Sequence, residues 1–317
     1  MFHMENDMKV KKQLLGRLLQ LILLLVVLSF LTFMLMYLAP GDPAEKKLSS
    51  QGVAISQEVL EAERERLGLN RPPLIRYVEW FGGILHGDFG LSLTDDQPIG
   101  PRLMQGLSNT LVLALSSLLA ALVVSIPLGI LSAVKQNSIL DNIVKILSFI
   151  GNALPNFLIS VLMMYLFCIV FKVFPVVATN SFNGLFLPAI SLAIPMAGRF
   201  TRQIRAEIIS QLDSDYVTGL RTRGVKEKDI LLKNVFYNAS PHIFTIIALQ
   251  IGTLMGGSVI IENIFRWPGI GRLVMEAING RDYTTVSGFV LIMGTIYVLI
   301  NFLSDTLQQS IDPRSNQ

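Results

Sequence analysis

An all-α fold built from six membrane-crossing helices follows from three features of this 317-residue chain. Hydrophobic residues make up 51% of it and charged residues only 15%, against about 25% charged in soluble domains. The mean hydropathy is +0.54. Apolar runs recur from end to end, most of them near the roughly 20 residues a helix needs to cross a hydrocarbon core of about 30 Å.

The first span is expected over 18–39, behind Lys9, Lys11, Lys12 and Arg17, with the N-terminus inside. Its apolar part is too long for a cleaved signal, and Tyr37-Leu38-Ala39-Pro40 is no small-residue cleavage site. Pro40-Gly41-Asp42-Pro43 ends the helix. From there to about Pro101 the chain is polar and broken, with an acidic helix expected at 57–67 and an amphipathic one at 74–85. Acidic residues outnumber basic ones in this stretch, which suits a small cap on the outer face.

The second span is expected at 107–134 and the third at 143–171, with Asn152, Pro155 and Asn156 in the first half of the third. A proline within a membrane helix frees carbonyls that other helices or a wet cavity must satisfy, so this segment is expected to face other helices. A short fourth span at 185–200 is expected to be interrupted by Pro188 and Pro195. A basic loop over 199–242 follows, rich in Arg199, Arg202, Arg205, Arg221, Arg223, Lys226, Lys228 and Lys233 and therefore cytoplasmic. Within it, 215–224 reads as a short helix stopped by Gly224, and 225–237 as a second. The fifth span, 243–264, carries the small residues Gly252, Gly256, Gly257 and Ser258; the sixth is 286–307. Six spans leave both termini cytoplasmic. The expected division is a span plus cap at 1–105 and a five-helix core at 106–317.

Several chemistries are excluded. There is no Gly-x-x-x-x-Gly-Lys-[Ser/Thr] loop, so the chain is not expected to hydrolyse nucleotide. His3, His86 and His242 are too scattered for a His-Glu-x-x-His zinc site, and no Gly-x-Ser-x-Gly elbow occurs. No catalytic residue, bound metal or cofactor is expected, and no basic, aromatic-interleaved surface points to nucleic acid. Cys168, alone in an apolar run, reads as packing.

Individual residues carry competing readings. Glu262 closes the uncharged run 243–261, where a carboxylate is either functional or paired at the interface with Arg266 or Arg281. Lys145 can pair with Asp141 one turn away. Gly252 and Gly256 permit close helix approach. His86-Gly87-Asp88-Phe89-Gly90 reads as a turn, and Trp267-Pro268-Gly269 as a rigid turn with an interfacial Trp. Tyr216 and Leu220 share a helix face with little of the chain's own core expected beneath it, which marks a partner surface.

Taken together, Pro40-Gly41-Asp42-Pro43, His86-Gly87-Asp88-Phe89-Gly90, Leu154-Pro155-Asn156-Phe157, Asp215-Tyr216-Val217, Arg221-Thr222-Arg223-Gly224, Asn238-Ala239-Ser240-Pro241, Glu262 through Gly271, Arg281-Asp282-Tyr283 and Asp312-Pro313-Arg314 resemble the inner-membrane permeases of binding-protein-dependent ABC importers, in the dipeptide/oligopeptide/nickel branch. The resemblance implies a MetI-like permease core in the inner (cytoplasmic) membrane. It implies as partners a second homologous permease, two ATPase subunits that use ATP and Mg, and an extracytoplasmic substrate-binding protein. It places the ATPase-coupling helix at Asp215, Tyr216, Thr218, Gly219, Leu220, Arg221, Arg223 and Gly224. The family's Glu-Ala-Ala triplet falls on Thr218-Gly219-Leu220, which departs from it at every position. A translocation path is expected around Asn152, Pro155, Asn156, Gly252, Gly256, Gly257 and Glu262. Asn238 to Pro241 and the Glu262 motif are similar to nickel-type permeases, which favours nickel or a metal chelate, moved by alternating access, over di- or oligopeptides. A channel or secondary transporter working without an ATPase is the competing class.

Overall fold

The computed structural model describes residues 21–52, 55–179 and 181–311, with the side chains of 249, 251–253, 255 and 301–311 outside the description. The basic N-terminal flank and Asp312-Pro313-Arg314 lie outside the described residues. Among these, every regular element is helical; the one pairing of extended residues is an isolated bridge between Leu91 and Pro98.

Helix α1 (Leu21–Leu38) is followed by three cap helices, α2 (Pro43–Ser50), α3 (Gln57–Arg66) and α4 (Pro73–Leu85). The Pro-Gly-Asp-Pro break works as punctuation in both directions. It ends α1, and Asp42 then caps α2 by accepting from the Ala44 N–H at 2.9 Å, with Pro43 at the first helical position. Ser56 caps α3 in the same way.

Next come α5 (Ile99–Val134), α6 (Ile139–Ala153), and α7 (Asn156–Met164) continued by a π turn over Tyr165–Val170. The third expected span is thus two helices, bent by 97° at their junction. Leu154 sits in the extended region (ψ 132°) ahead of Pro155, as the residue before a proline prefers, and Pro155 supplies no N–H to continue the ladder.

The fourth span corrects the opposite expectation. Helix α8 (Phe182–Leu212) runs for 31 residues straight through Pro188 and Pro195, both buried. Neighbours α6, α7 and the later α11 pack around it, so the freed carbonyls lie against protein rather than lipid. Helix α9 (Asp215–Thr222) is the expected short loop helix. The second loop helix is not separate: α10 (Glu227–Asp229) passes through a π turn (Ile230–Val235) into α11 (Phe236–Phe265). Helices α12 (Ile270–Asn279) and α13 (Tyr283–Ile311) complete the chain.

Helices α1, α5, α8 and the Tyr283–Ile300 part of α13 are long and apolar enough to cross a membrane, and the bent α6–α7 pair adds a fifth. The remaining expected span falls within the 30 residues of α11, part of which lies outside the described side chains.

The chain divides into two compact units, one holding residues up to Leu107 with Leu273–Leu299, the other Ser108–Arg272 with the C-terminal part. In the first, Phe30 and Phe33 of α1 meet Tyr77 of α4, Phe33 also meets Trp80 and Tyr283, and Phe81 stacks on Tyr77. Asp282 caps α13 there, accepting from the Thr285 N–H at 3.1 Å and its hydroxyl at 2.7 Å. In the second, the core runs through α5, α8, α9 and α11. Helices α6 and α8 approach so closely that a Cβ on Gly198 would lie 2.5 Å from the Ser148 carbonyl oxygen.

Candidate functional site

Helix α9 is held from beneath and open above. Val217 is fully buried, and Tyr216 and Leu220 pack half-buried against the core of their own unit. The Tyr216 hydroxyl also donates to Gln211 Oε1 at 3.0 Å. The expectation of little core beneath Tyr216 and Leu220 is therefore corrected: residues of α8 and of the π turn before α11 supply one. What remains exposed is Asp215, Thr218, Arg221, Thr222, Arg223 and Gly224. Gly224, at φ +77°, ends the helix in the left-handed conformation that glycine adopts without penalty, and the Val225 N–H closes the turn on the Leu220 carbonyl at 3.2 Å. Arg221 is paired with Glu227 at 2.8 Å, whereas Arg223 makes no ion pair among the described residues. Gly219 has open space around its Cβ position.

A charged clamp joins α6 to α8. Asp141, at the start of α6, is wholly buried. Arg205 of α8 grips it with two bonds, Nε to Oδ1 at 2.7 Å and Nη2 to Oδ2 at 2.9 Å. The Ser132 hydroxyl and the Asn137 N–H also donate to it, and Lys145 stands 3.3 Å away. The Lys145 pairing was legible from its spacing of four; the stronger Arg205 partner, 64 residues off, was not.

Glu262 is fully buried and acts as a cap. Its Oε2 accepts from the Gly271 N–H at 2.8 Å and the Arg272 N–H at 3.1 Å, the first turn of α12. Its Oε1 accepts from the Thr110 hydroxyl at 2.7 Å, and Thr110 Oγ1 in turn accepts from the Ile270 N–H at 2.9 Å. A carboxylate here faces the positive end of the helix dipole. Two glycines make room: a Cβ on Gly269 would fall 2.4 Å from the Glu262 carboxyl, and one on Gly271 2.8 Å from its Oε2. Trp267 is 2% exposed and donates from Nε1 to the Asn109 carbonyl at 3.0 Å, while Asn109 returns a bond to the Pro268 carbonyl at 2.8 Å. Neither sequence reading of this motif anticipated that arrangement: Glu262 binds backbone and Thr110 instead of an arginine side chain, and Trp267 is a buried strut instead of an interfacial anchor.

The other path residues are scattered more openly. Asn152 and Asn156 are half-buried on either side of exposed Pro155, Gly256 is exposed, and a Cβ on half-buried Gly257 would sit 3.8 Å from the Asn156 amide nitrogen. The surroundings of Gly252 lie outside the described residues. The structure adds Arg199, which donates to Asn152 Oδ1 at 3.4 Å and Gln250 Oε1 at 3.1 Å, tying α6, α8 and α11 together by neutral amides. In the sequence Arg199 looked like the first residue of the basic loop; only the length of α8 moves it among the spans.

Among the described residues no three His, Cys, Asp or Glu side chains are grouped to hold a metal. His86 Nδ1 lies 2.9 Å from the Gly82 carbonyl and Asp88 accepts from the Gly90 N–H at 2.8 Å, so both serve the turn. Cys168 is buried.

Comparison with known proteins agrees with this architecture. Residues 125–317 match the family described as binding-protein-dependent transport system inner membrane component, and residues 10–114 match its N-terminal part. The nickel import system permease protein NikB of Staphylococcus aureus strain bovine RF122 / ET3-1 is 33% identical over 307 residues, 97% of this chain and 92% of the relative. The protein of the same name from strain USA300 gives the same identity and coverage. Two inward-facing structures of the MetNI methionine ABC transporter share the fold at 17% identity, with TM-scores of 0.56 and 0.55, covering 66% and 67% of this chain and 96% of each matched chain. The chain therefore belongs to the inner membrane components of binding-protein-dependent transport systems, and is an ABC-importer permease subunit that works with a separate ATPase and a substrate-binding protein.

Proposed function

We propose that this permease carries nickel, as the ion or a chelate, inward across the membrane by alternating access. The observation that carries the reading is similarity along almost the whole chain, 97% of it, to relatives named as nickel import permeases. The absence of grouped metal ligands among the described residues is compatible with this cargo, because a chelated ion arrives with its own ligands. The path runs along the face bearing Asn152, Asn156, Gly256 and Gly257, beside Arg199. A second, homologous permease completes it, and both termini are cytoplasmic.

Helix α9 is the docking element for the ATPase, which uses ATP and Mg. Its buried underside (Val217) and exposed charges (Asp215, Arg221, Arg223) support this reading: a helix fixed to its own core moves as a lever when pushed. With Thr218-Gly219-Leu220 in place of Glu-Ala-Ala, shape and arginine charge carry the contact.

The test is uptake of labelled nickel and labelled dipeptides in cells lacking this chain, complemented with wild type or with Arg223→Glu. Loss of nickel uptake alone, restored by wild type and not by the variant at equal membrane abundance, is expected. Loss of dipeptide uptake instead overturns the substrate, and normal uptake by the variant overturns the docking role.

A further inference from the structure

The unit that contains the cap holds a cavity of about 310 Å³ lined by Tyr37, Arg64, Asn70, Arg76, Arg281 and Tyr283, together with Asp42. Three guanidinium groups face one carboxylate there, and the balance is less even than it looks. Asp42 is already paired with Arg64 at 2.6 Å. Arg76 lies over the Tyr283 ring at 5.0 Å, and its Nη1 is buried without a hydrogen-bond acceptor among the described residues. The Arg281 side chain has no ion pair or hydrogen bond among them. With Arg64 taken up by Asp42, the Arg76 and Arg281 charges have no carboxylate of their own in the cavity, and a bound anion would balance them.

We propose that this cavity binds the phosphate of a phospholipid headgroup. Its position selects the ligand. Tyr37 belongs to the last turn of the Leu21–Leu38 span and Tyr283 opens the Tyr283–Ile300 span, so the cavity lies at the edge of the hydrocarbon layer. Tyrosines at span ends are typical of that depth, and it is the depth of lipid phosphates. Leu35 and Leu38 on α1 and Leu74 and Ile75 on α4 are exposed close by in the chain, giving acyl chains an apolar surface to cover. The planar fork of arginine matches two phosphate oxygens at once, so Arg76 and Arg281 hold the headgroup while Arg64 remains with Asp42.

The experiment uses the purified full-length chain, stripped of lipid in a neutral detergent and titrated separately with phosphatidylglycerol, with a diacylglycerol of the same chains, and with inorganic phosphate. Thermal unfolding and native mass spectrometry report binding, each variant being compared with its own lipid-free state. Phosphatidylglycerol is expected to raise the unfolding midpoint and stay bound, and diacylglycerol to do neither. Arg281→Gln and Arg76→Gln should each weaken the apparent lipid affinity at least tenfold, whereas Arg71→Gln, outside the cavity, should not. An equal shift from inorganic phosphate alone keeps the anion chemistry and overturns the lipid as its source. Unchanged lipid response in both variants overturns the site, as does an unchanged lipid response accompanied by weaker capture of the substrate-binding protein, which would give the cavity to an acidic side chain of that partner.

Discussion

Replacing Glu262 separates a structural carboxylate from one that meets cargo. In Glu262→Ala, four donors lose their acceptor together: the Thr110 and Ser258 hydroxyls and the Gly271 and Arg272 N–H groups. Each buried donor left unpaired costs about 1–3 kcal/mol. The Thr110 hydroxyl can rotate toward another acceptor and Arg272 is only half-buried, so the sum is on the order of 3–5 kcal/mol. Against a typical stability of about 5–15 kcal/mol this is severe, and at roughly 2–4 °C per kcal/mol it lowers the unfolding midpoint by on the order of 10 °C. Glu262→Gln keeps an oxygen for the two backbone donors and turns its amide toward Thr110, whose oxygen has a second lone pair. That substitution costs about 1 kcal/mol, the scale of one exchanged hydrogen bond. The assay is thermal unfolding of detergent-solubilised protein beside uptake in cells at matched abundance. Gln is expected to transport and Ala to be depleted from the membrane. A Gln variant that unfolds like wild type yet transports nothing would refute the cap, because only a role for the negative charge itself explains that pair of results.

Three further outcomes follow from the same geometry. Gly269→Ala should destabilise strongly, since its Cβ would fall 2.4 Å from the Glu262 carboxyl, whereas Gly219→Ala, with open space, should leave the unfolding midpoint within about 1 °C or raise it. Arg205→Gln removes a bidentate partner from buried Asp141 and should cost about 3 kcal/mol, the low end for a broken buried pair because Lys145 still stands 3.3 Å from the carboxylate; Arg205→Lys should recover part of it. In the cap, Lys47 and Arg66 hold the Asp96 carboxyl below its usual range, and Arg66 with Lys47 does the same to Glu63. Carboxylates depressed by folding stabilise above their unfolded values, near pH 4, and that contribution disappears as pH falls through the lower folded values. Hydrogen exchange of α2 and α3 should therefore quicken selectively on acidification below about pH 4, and Lys47→Met should flatten that dependence.

Much of the architecture can be read one residue at a time. Water's exclusion from the bilayer forces long apolar runs into helices, so hydropathy located α1, α5, α8, α13 and the bent α6–α7 pair, and the excess of arginine and lysine located the loop that carries α9. Helix punctuation was equally local: Asp42, Ser56 and Gly224 act through bonds to residues two to five positions away. The two cap helices expected at 57–67 and 74–85 appear at Gln57–Arg66, capped by Ser56, and at Pro73–Leu85, opened by Pro72-Pro73.

Proline was not local. Pro155 breaks its span by 97°, whereas Pro188 and Pro195 leave α8 whole, and the difference lies in the helices packed around α8 rather than in the residue type. The charged groups behave likewise. Glu262 is satisfied by Thr110, 152 positions earlier in the chain, and Asp141 by Arg205, 64 positions later. Spacing along the chain encodes partners within a helical turn. A buried carboxylate must take whatever donor the packed helices bring to it, so composition and pattern determined which segments form long apolar helices, while tertiary packing alone decided that Glu262 caps a helix, that Val217 anchors the loop, and that three arginines share one cavity.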